Sequence, residues 1–400
     1  MPRLLIALCS LVYLLDGLIH SILGPLAPGI AGSLGLTNAQ LGPIFSANLL
    51  GQCIGLVVVP LVTGRARQHV VVLLALLGFG LATAGTALAQ GATSLFIWRL
   101  VTGLFLGGCL PSCLALVTAA APSARRGLAI MVLFTGYGLG ATLAGVVATT
   151  FMDSGGWRMA MLAVGAACLV TTVLGALFLR EPDSGDGNLI TAEATLRPNP
   201  LLLVTRRYLL GTLMLWLLFV SMLTISYCLT SWLPTLLVET GRDPQFAALS
   251  ISIFSLGGII SALGVGLLID RWGALRTLGS FLCLAAVLLF LVGQVLVAAP
   301  AAILMVLLAL CGFFVLGAYG GINVVLATFY PPGLRATGIG WAKSVGRIGT
   351  LVAPVLIGSA LTAGIDEAVI MSLFCLPAAL SVAFLVVISI GQRHAAPVHP

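Results

Sequence analysis

Long apolar runs separated by short polar connections fill most of the sequence. A helix needs about 20 residues to cross about 30 Å of hydrocarbon, and twelve runs reach that length. The predicted spans lie near residues 4–27, 39–62, 70–90, 94–120, 127–151, 158–179, 208–236, 245–269, 275–297, 301–328, 335–362 and 367–391. The pattern therefore predicts an all-α integral membrane protein with twelve transmembrane helices.

One connection differs from the others. Residues 181–206 are polar and contain the turn-forming stretches EPDSGDG and RPNP. This segment divides the chain into an N-terminal six-helix bundle at 1–180, a cytoplasmic central loop at 181–206 and a C-terminal six-helix bundle at 207–400.

The positions of the basic residues predict the orientation. If the N-terminus is cytoplasmic, thirteen arginines fall on the inside and two on the outside. The inside residues are Arg3, Arg65, Arg67, Arg125, Arg126, Arg180, Arg197, Arg206, Arg207, Arg271, Arg276, Arg335 and Arg393, and the outside ones are Arg158 and Arg242. Because cytoplasmic loops carry the excess of Lys and Arg, both termini are expected in the cytoplasm.

The amino-acid composition indicates a lipid bilayer, rather than a nucleic acid, as the partner of this chain. Hydrophobic residues make up 60% of the chain and charged residues 7%, so the expected surroundings are a lipid bilayer. The net charge of +7 comes from dispersed arginines, which are typical of orientation signals rather than of a nucleic-acid site. No metal-ligand cluster, nucleophile constellation or phosphate loop stands out in the sequence, and neither an enzyme nor a bound cofactor is expected.

Asp16 is the one carboxylate deep inside an apolar span, and His20 follows it by one helical turn. The two side chains share a helix face. An ionisable residue at this depth costs about 2.5–3.5 kcal/mol on insertion scales and usually has a function. The pair therefore predicts a site that handles protons or cations, with two alternatives open: Asp16 neutralises an arginine, or His20 is only a buried polar group.

Three cations also fall within predicted spans. Lys343 and Arg347 are i,i+4 neighbours in the eleventh span, and Arg99 lies near the outer end of the fourth. Asp16 and Arg347 each lie about 18 Å along their helices, close to the bilayer midplane. An excess of fixed positive charge predicts an anionic substrate, since Arg holds a carboxylate with two hydrogen bonds. Two alternatives stay open: Lys343 snorkels to the surface, and Arg99 hydrogen-bonds helix carbonyls near the first span.

Aromatic side chains in the spans are candidates for stacking on a substrate ring. The candidates chosen as substrate contacts are Tyr137, Tyr319 and Trp341, while Tyr13, Phe134, Tyr227 and Trp232 are also available. Packing or interface anchoring is the alternative for each. Glycines that recur in the fourth and fifth spans, such as Gly103, Gly107, Gly136 and Gly140, predict close helix packing.

Two stretches resemble motifs of the major facilitator superfamily. Gly266, Asp270, Arg271 and Gly273 match its cytoplasmic G-x-x-x-D-R-x-G motif, which implies a gating role for these residues. The equivalent stretch of the first half keeps Arg65 and Arg67 but has no aspartate. In the fourth span, RLVTGLFLGG resembles the motif in which an arginine precedes glycines.

Within that superfamily the chain most resembles the aromatic acid:proton symporters. The resemblance rests on LDG at 15–17, GYGLGA at 136–141, GWR at 156–158, SWLPTLL at 231–237 and YPPGLRATGIGWAKSVGRIG at 330–349. The family usually has D-G-x-D in the first span, and here Ile19 occupies the second acidic position, with His20 next to it.

This resemblance implies a secondary active transporter. It implies uptake of an organic, aromatic carboxylate with protons by alternating access, in a bacterial inner membrane, by a functional monomer. Proton antiport that exports organic anions or drugs is one alternative, although the fifth span lacks the Gly-Pro pair usual in exporters. A non-transporting membrane receptor with the same fold is another.

Overall fold

The computed structural model describes residues 2–63, 67–122, 125–152, 155–179, 202–203, 205 and 208–395. Twelve helices or helix pairs in these residues are long and apolar enough to cross a membrane, which confirms the predicted number. The predicted central loop lies outside the described residues, apart from positions 202, 203 and 205. The division at residues 180 and 207 stays a prediction.

Seven described helices precede the predicted central loop. They are α1 (Pro2–Ser21), α2 (Leu23–Leu34), α3 (Asn38–Thr63), α4 (Gln68–Thr86), α5 (Ala92–Ala120), α6 (Arg126–Met152) and α7 (Gly156–Phe178). Seven follow it: α8 (Leu209–Glu239), α9 (Pro244–Trp272), α10 (Ala274–Val295), α11 (Ala301–Phe329), α12 (Pro332–Thr362), α13 (Glu367–Leu373) and α14 (Cys375–Ala395).

The first and last predicted spans are each interrupted, which their continuous hydrophobicity does not reveal. α1 ends at Ser21, four residues before Pro25, and α13 ends at Leu373, four residues before Pro377. A proline has no N–H to donate to the carbonyl of residue i−4. The missing hydrogen bonds therefore fall on Ser21 and Leu373, where the two helices end.

Contacts group the chain into two compact units. The first unit holds Met1–Gly185, Thr230–Ser255 and Pro354–Ile365, and the second holds Asp186–Leu229, Leu256–Ala353 and Asp366–Pro400. The first unit therefore combines α1–α7 with end segments of α8, α9 and α12.

Glycines set the distance between helices in the first unit. α1 packs on α6, and α3 packs on α5. A Cβ at Gly140 would overlap the Leu14 carbonyl, and one at Gly103 would overlap the Asn48 carbonyl. The predicted role of these glycines in close packing is confirmed, because any side chain would push the backbones apart.

The second unit repeats this arrangement. A Cβ at Gly257 of α9 would overlap the Ala309 carbonyl of α11, and one at Gly349 of α12 would lie 2.8 Å from the Val220 carbonyl of α8. The second span therefore packs on the fourth and the first on the fifth in each half. In this repeat, α1 of the first unit and the part of α12 that lies in the second unit pack at glycine-lined interfaces, and these two helices carry Asp16, His20, Lys343 and Arg347.

Candidate functional site

Asp16 and His20 lie on one face of α1 within the first unit. Asp16 is 2% exposed, and His20 is half-buried. Between them, Gly17 faces the backbone of Tyr137 on α6, with no room for a Cβ. The tight α1–α6 seam thus fixes the helix face on which the predicted proton site lies.

His20 has an aromatic neighbour and an amide neighbour. The ring of Tyr137 lies 6.1 Å from the imidazole, centroid to centroid, and Asn48 Nδ2 of α3 lies 3.4 Å from His20 Nδ1. We call His20, Asn48 and Tyr137 the His20 cluster. Tyr137 was predicted as a substrate contact, and the structure places it beside the predicted proton site.

Asn48 was not among the predicted site residues. It is 3% exposed, and Gln52 at 5% lies one turn further along α3. A pair of amides at i,i+4 inside an apolar span was the available signal, since polar groups buried in a bilayer require partners. That signal does not identify the partner, which depends on how α3 is placed beside α1.

Arg99 of α5 is buried against α1. It is 1% exposed and donates from Nη2 to the Ile19 carbonyl at 2.8 Å. Within the described residues its Nε and Nη1 have no hydrogen-bond partner. This geometry matches the alternative in which Arg99 binds a carbonyl of the first span, and its predicted contact with substrate stays a prediction.

The cations of α12 lie in the second unit. Arg347 is half-buried and Lys343 is exposed, and the two interact electrostatically one turn apart. Tyr319 of α11 is half-buried and interacts with the Arg347 charge. We call Arg347, Lys343 and Tyr319 the Arg347 cluster. Two neighbouring cations next to a phenol can bind an anion, and Arg347 is the better enclosed of the two cations.

Trp341, the third predicted aromatic contact, has a different environment. It is 46% exposed and stacks on Trp216 of α8 at a centroid distance of 6.0 Å. Trp232, which the sequence offered as a further candidate, is fully buried and packs edge-on against Phe45 at 5.0 Å. The Trp232 ring is thus used in packing, whereas Trp341 keeps an exposed face.

The predicted gating motif forms the junction between α9 and α10. Gly266, Asp270 and Arg271 lie in the last turns of α9 with exposed positions. Gly273 has φ +84°, a conformation that favours glycine, and its N–H donates to the Ile269 carbonyl at 2.8 Å. The turn between α9 and α10 therefore explains why the motif has glycine at position 273. In the first half, Arg67 precedes α4, and Arg65 lies outside the described residues.

The sequence model of the Major Facilitator Superfamily matches residues 9–354 and 235–398. A 4-hydroxybenzoate transporter of Acinetobacter baylyi is 31% identical, with 94% of this chain and 88% of that protein covered. A gallate transporter of Pseudomonas putida is 29% identical, over 94% of this chain and 89% of that protein.

Solved structures share the fold. A D-xylose-proton symporter superposes with a TM-score of 0.80 at 15% identity, covering 95% of this chain and 96% of that one. The inward-open xylose transporter of Escherichia coli gives a TM-score of 0.78 at 14% identity, with 96% of each chain covered. The twelve apolar helices, the fold and the sequence match together place this multi-pass membrane protein in the Major Facilitator Superfamily of transporters.

Proposed function

We propose that the protein takes up an aromatic or related organic carboxylate together with protons, by alternating access. The observation that carries the proposal is the buried carboxylate of Asp16, one turn from His20 on a transmembrane helix. Removal from water favours the neutral form of a carboxyl group, so a proton can be held there during transport. The names of the relatives, a gallate transporter and a 4-hydroxybenzoate transporter, support an aromatic acid as substrate.

In this mechanism the Asp16–His20 pair and the Arg347 cluster have separate tasks. Asp16 binds the proton, and His20 shares or relays it. Arg347 binds the substrate carboxylate with charge-assisted hydrogen bonds, and Lys343 adds positive potential. The proton gradient is the driving force, and no cofactor is needed. Tyr137, Tyr319 and Trp341 stay candidate contacts for the aromatic ring.

The cellular setting follows from the same proposal. We place the protein as a functional monomer in a bacterial inner membrane with both termini in the cytoplasm. The excess of arginines on one side of the predicted spans supports this orientation. Release of the proton to the cytoplasm then completes an inward cycle.

The test is uptake into proteoliposomes with and without an inward proton gradient. Radiolabelled benzoate, hydroxybenzoates and short dicarboxylates are compared. We expect gradient-driven accumulation of an aromatic acid that a protonophore abolishes. Asp16→Asn removes the titratable group. It should abolish accumulation of the substrate against its own concentration gradient.

Asp366→Asn is the matched control. Asp366 is an exposed carboxylate that caps α13 by accepting from the Ala368 N–H at 2.7 Å, and asparagine caps a helix equally well. This variant should accumulate substrate normally. Full gradient-driven accumulation by Asp16→Asn would contradict the coupling role, and transport in the outward direction only would favour the exporter.

A further inference from the structure

The amide of Asn48 is held next to His20 by the packing of α3. The Asn48 carbonyl faces Gly103, and Gly51 faces the Leu100 carbonyl, so α3 and α5 meet at backbone distance at Asn48 and again three residues later. The side chain is 3% exposed, and its Nδ2 lies 3.4 Å from His20 Nδ1. A buried amide at a fixed position therefore lies within hydrogen-bonding distance of one particular nitrogen of the imidazole, Nδ1.

The hydrogen-bonding chemistry of this pair changes with the proton on His20. A neutral imidazole with its hydrogen on Nε2 accepts at Nδ1, and a protonated imidazole donates from both nitrogens. An amide can meet both cases, because it has an NH₂ donor on one side and a carbonyl acceptor on the other. In the structure Asn48 presents Nδ2 to the ring, and its Oδ1 is buried with no hydrogen-bond partner among the described residues.

We propose that Asn48 is a positioning residue that binds His20 Nδ1 in both protonation states by rotating its amide half a turn. The NH₂ group donates to the neutral ring, and Oδ1 accepts from the protonated ring. The inference rests on the proposed function, which gives His20 a share of the transported proton. It adds the group that keeps the imidazole in place while its charge changes.

Other ionisable groups lie near His20 on the helices of this unit. Asp16 on α1 carries the carboxylate, Arg99 on α5 is hydrogen-bonded to the Ile19 carbonyl, and Tyr137 on α6 contacts the ring. The α3 side chains on this face, Asn48 and Gln52, are uncharged. A hydrogen bond to a charged group is about twice as strong as a neutral one, so Asn48 favours the protonated ring more than the neutral ring.

Three variants test the inference through the pH profile of uptake. Asn48→Leu removes both hydrogen bonds and should move the half-maximal pH to lower pH by about one unit, since the protonated ring loses the stronger bond. Asn48→Asp adds a fixed acceptor and should move it to higher pH. Gln52→Leu, one turn away on the same helix, should leave the profile in place.

Opposite shifts distinguish hydrogen bonding to His20 from a loss of packing. A purely structural role would change the amount of folded protein or the maximal rate in all three variants and leave the half-maximal pH unchanged. Equal profiles for Asn48→Leu and Asn48→Asp, or shifts in the same direction, would overturn the inference. If Asn48→Leu does not fold, Asn48→Ser takes its place, because serine is polar but too short to reach His20. Its half-maximal pH should still shift to lower pH.

His20→Gln separates failure of this inference from failure of the proposed function. If His20→Gln keeps the pH profile of the unaltered protein, His20 does not share the proton. The proposed function then no longer includes His20, and the inference about Asn48 is overturned with it. If His20→Gln flattens the profile while the Asn48 variants leave it unchanged, only the role of Asn48 is wrong.

Discussion

Arg99 Nη2 donates to the backbone carbonyl of Ile19 at 2.8 Å, which joins α5 to α1 between Asp16 and His20. The donor is buried at 1% exposure, and the acceptor is a carbonyl in the last turn of α1. The contact therefore fixes the height of α1 relative to α5 at the level of the proposed proton site.

Arg99→Ala should lower stability more than it affects substrate affinity. A buried hydrogen bond to a charged group contributes about 1.5–3 kcal/mol, and truncation also leaves a cavity. We expect a lower melting temperature in detergent. A thiol-reactive dye can follow the transition, because buried cysteines such as Cys9, Cys168, Cys228 and Cys311 become reactive on unfolding.

Arg276→Ala is the control, because Arg276 is exposed at the start of α10. Its melting temperature should match that of the unaltered protein. If Arg99→Ala melts normally but raises KM for substrate, Arg99 belongs to the substrate site as the sequence suggested.

The number of spans was predictable because hydrophobic length alone decides it. The breaks at Ser21 and Leu373 were not predictable from proline alone, since Pro111, Pro234 and Pro354 lie inside helices that continue unbroken. The contact between Asn48 and His20 was not predictable either, because residues 28 positions apart meet only when α3 is placed beside α1. That placement depends on glycine contacts with a third helix, which the polarity pattern of a single span does not contain.

Gly140→Ala should destabilise the α1–α6 seam. A Cβ at Gly140 would overlap the Leu14 carbonyl, and a backbone group cannot move aside as a flexible side chain does. We expect less folded protein on fluorescence-detected size-exclusion chromatography and a lower melting temperature.

Gly29→Ala provides the opposite case within the same unit. Gly29 lies in α2, and a Cβ there meets no atom within 4 Å. Alanine should be neutral or stabilise by about 0.5–1 kcal/mol, since it lowers the entropy lost on helix formation. Equal effects of the two substitutions would show that glycine packing does not set the α1–α6 distance.

Arg347→Met should weaken binding of the carboxylate substrate without unfolding the protein. Loss of charge-assisted hydrogen bonds worth about 1.5–3 kcal/mol corresponds to a rise in KM of roughly 10- to 150-fold. Arg347→Lys should recover part of the affinity, because it restores the charge but not the planar two-point geometry.

Lys343→Met is the comparison, because Lys343 is exposed and one turn away. We expect a rise in KM several-fold smaller than for Arg347→Met, measured as initial uptake against substrate concentration. A larger effect at Lys343 would reverse the order of the two cations in the proposed site.

A polar contact at the start of α3 marks a position at which a cross-link should stop transport. Asn38 Nδ2 donates to Glu239 Oε1 at 3.2 Å, and the Ala39 N–H donates to Thr362 Oγ1 at 3.0 Å. These bonds join the start of α3 to the ends of α8 and α12 within the first unit, on the side that the arginine distribution predicts to be outside. Alternating access requires an outer contact of this kind to break in each cycle.

The double variant Asn38→Cys, Glu239→Cys should therefore stop taking up substrate when a short, cleavable, thiol-reactive cross-linker joins the two cysteines. Cleavage of the reagent should restore uptake, because no other group is altered. Exposed Cys283 is replaced by serine in this background, and the single Asn38→Cys variant treated in the same way should keep its activity. Undiminished uptake with the cross-link complete, as judged by mass spectrometry, would show that this contact stays closed throughout transport.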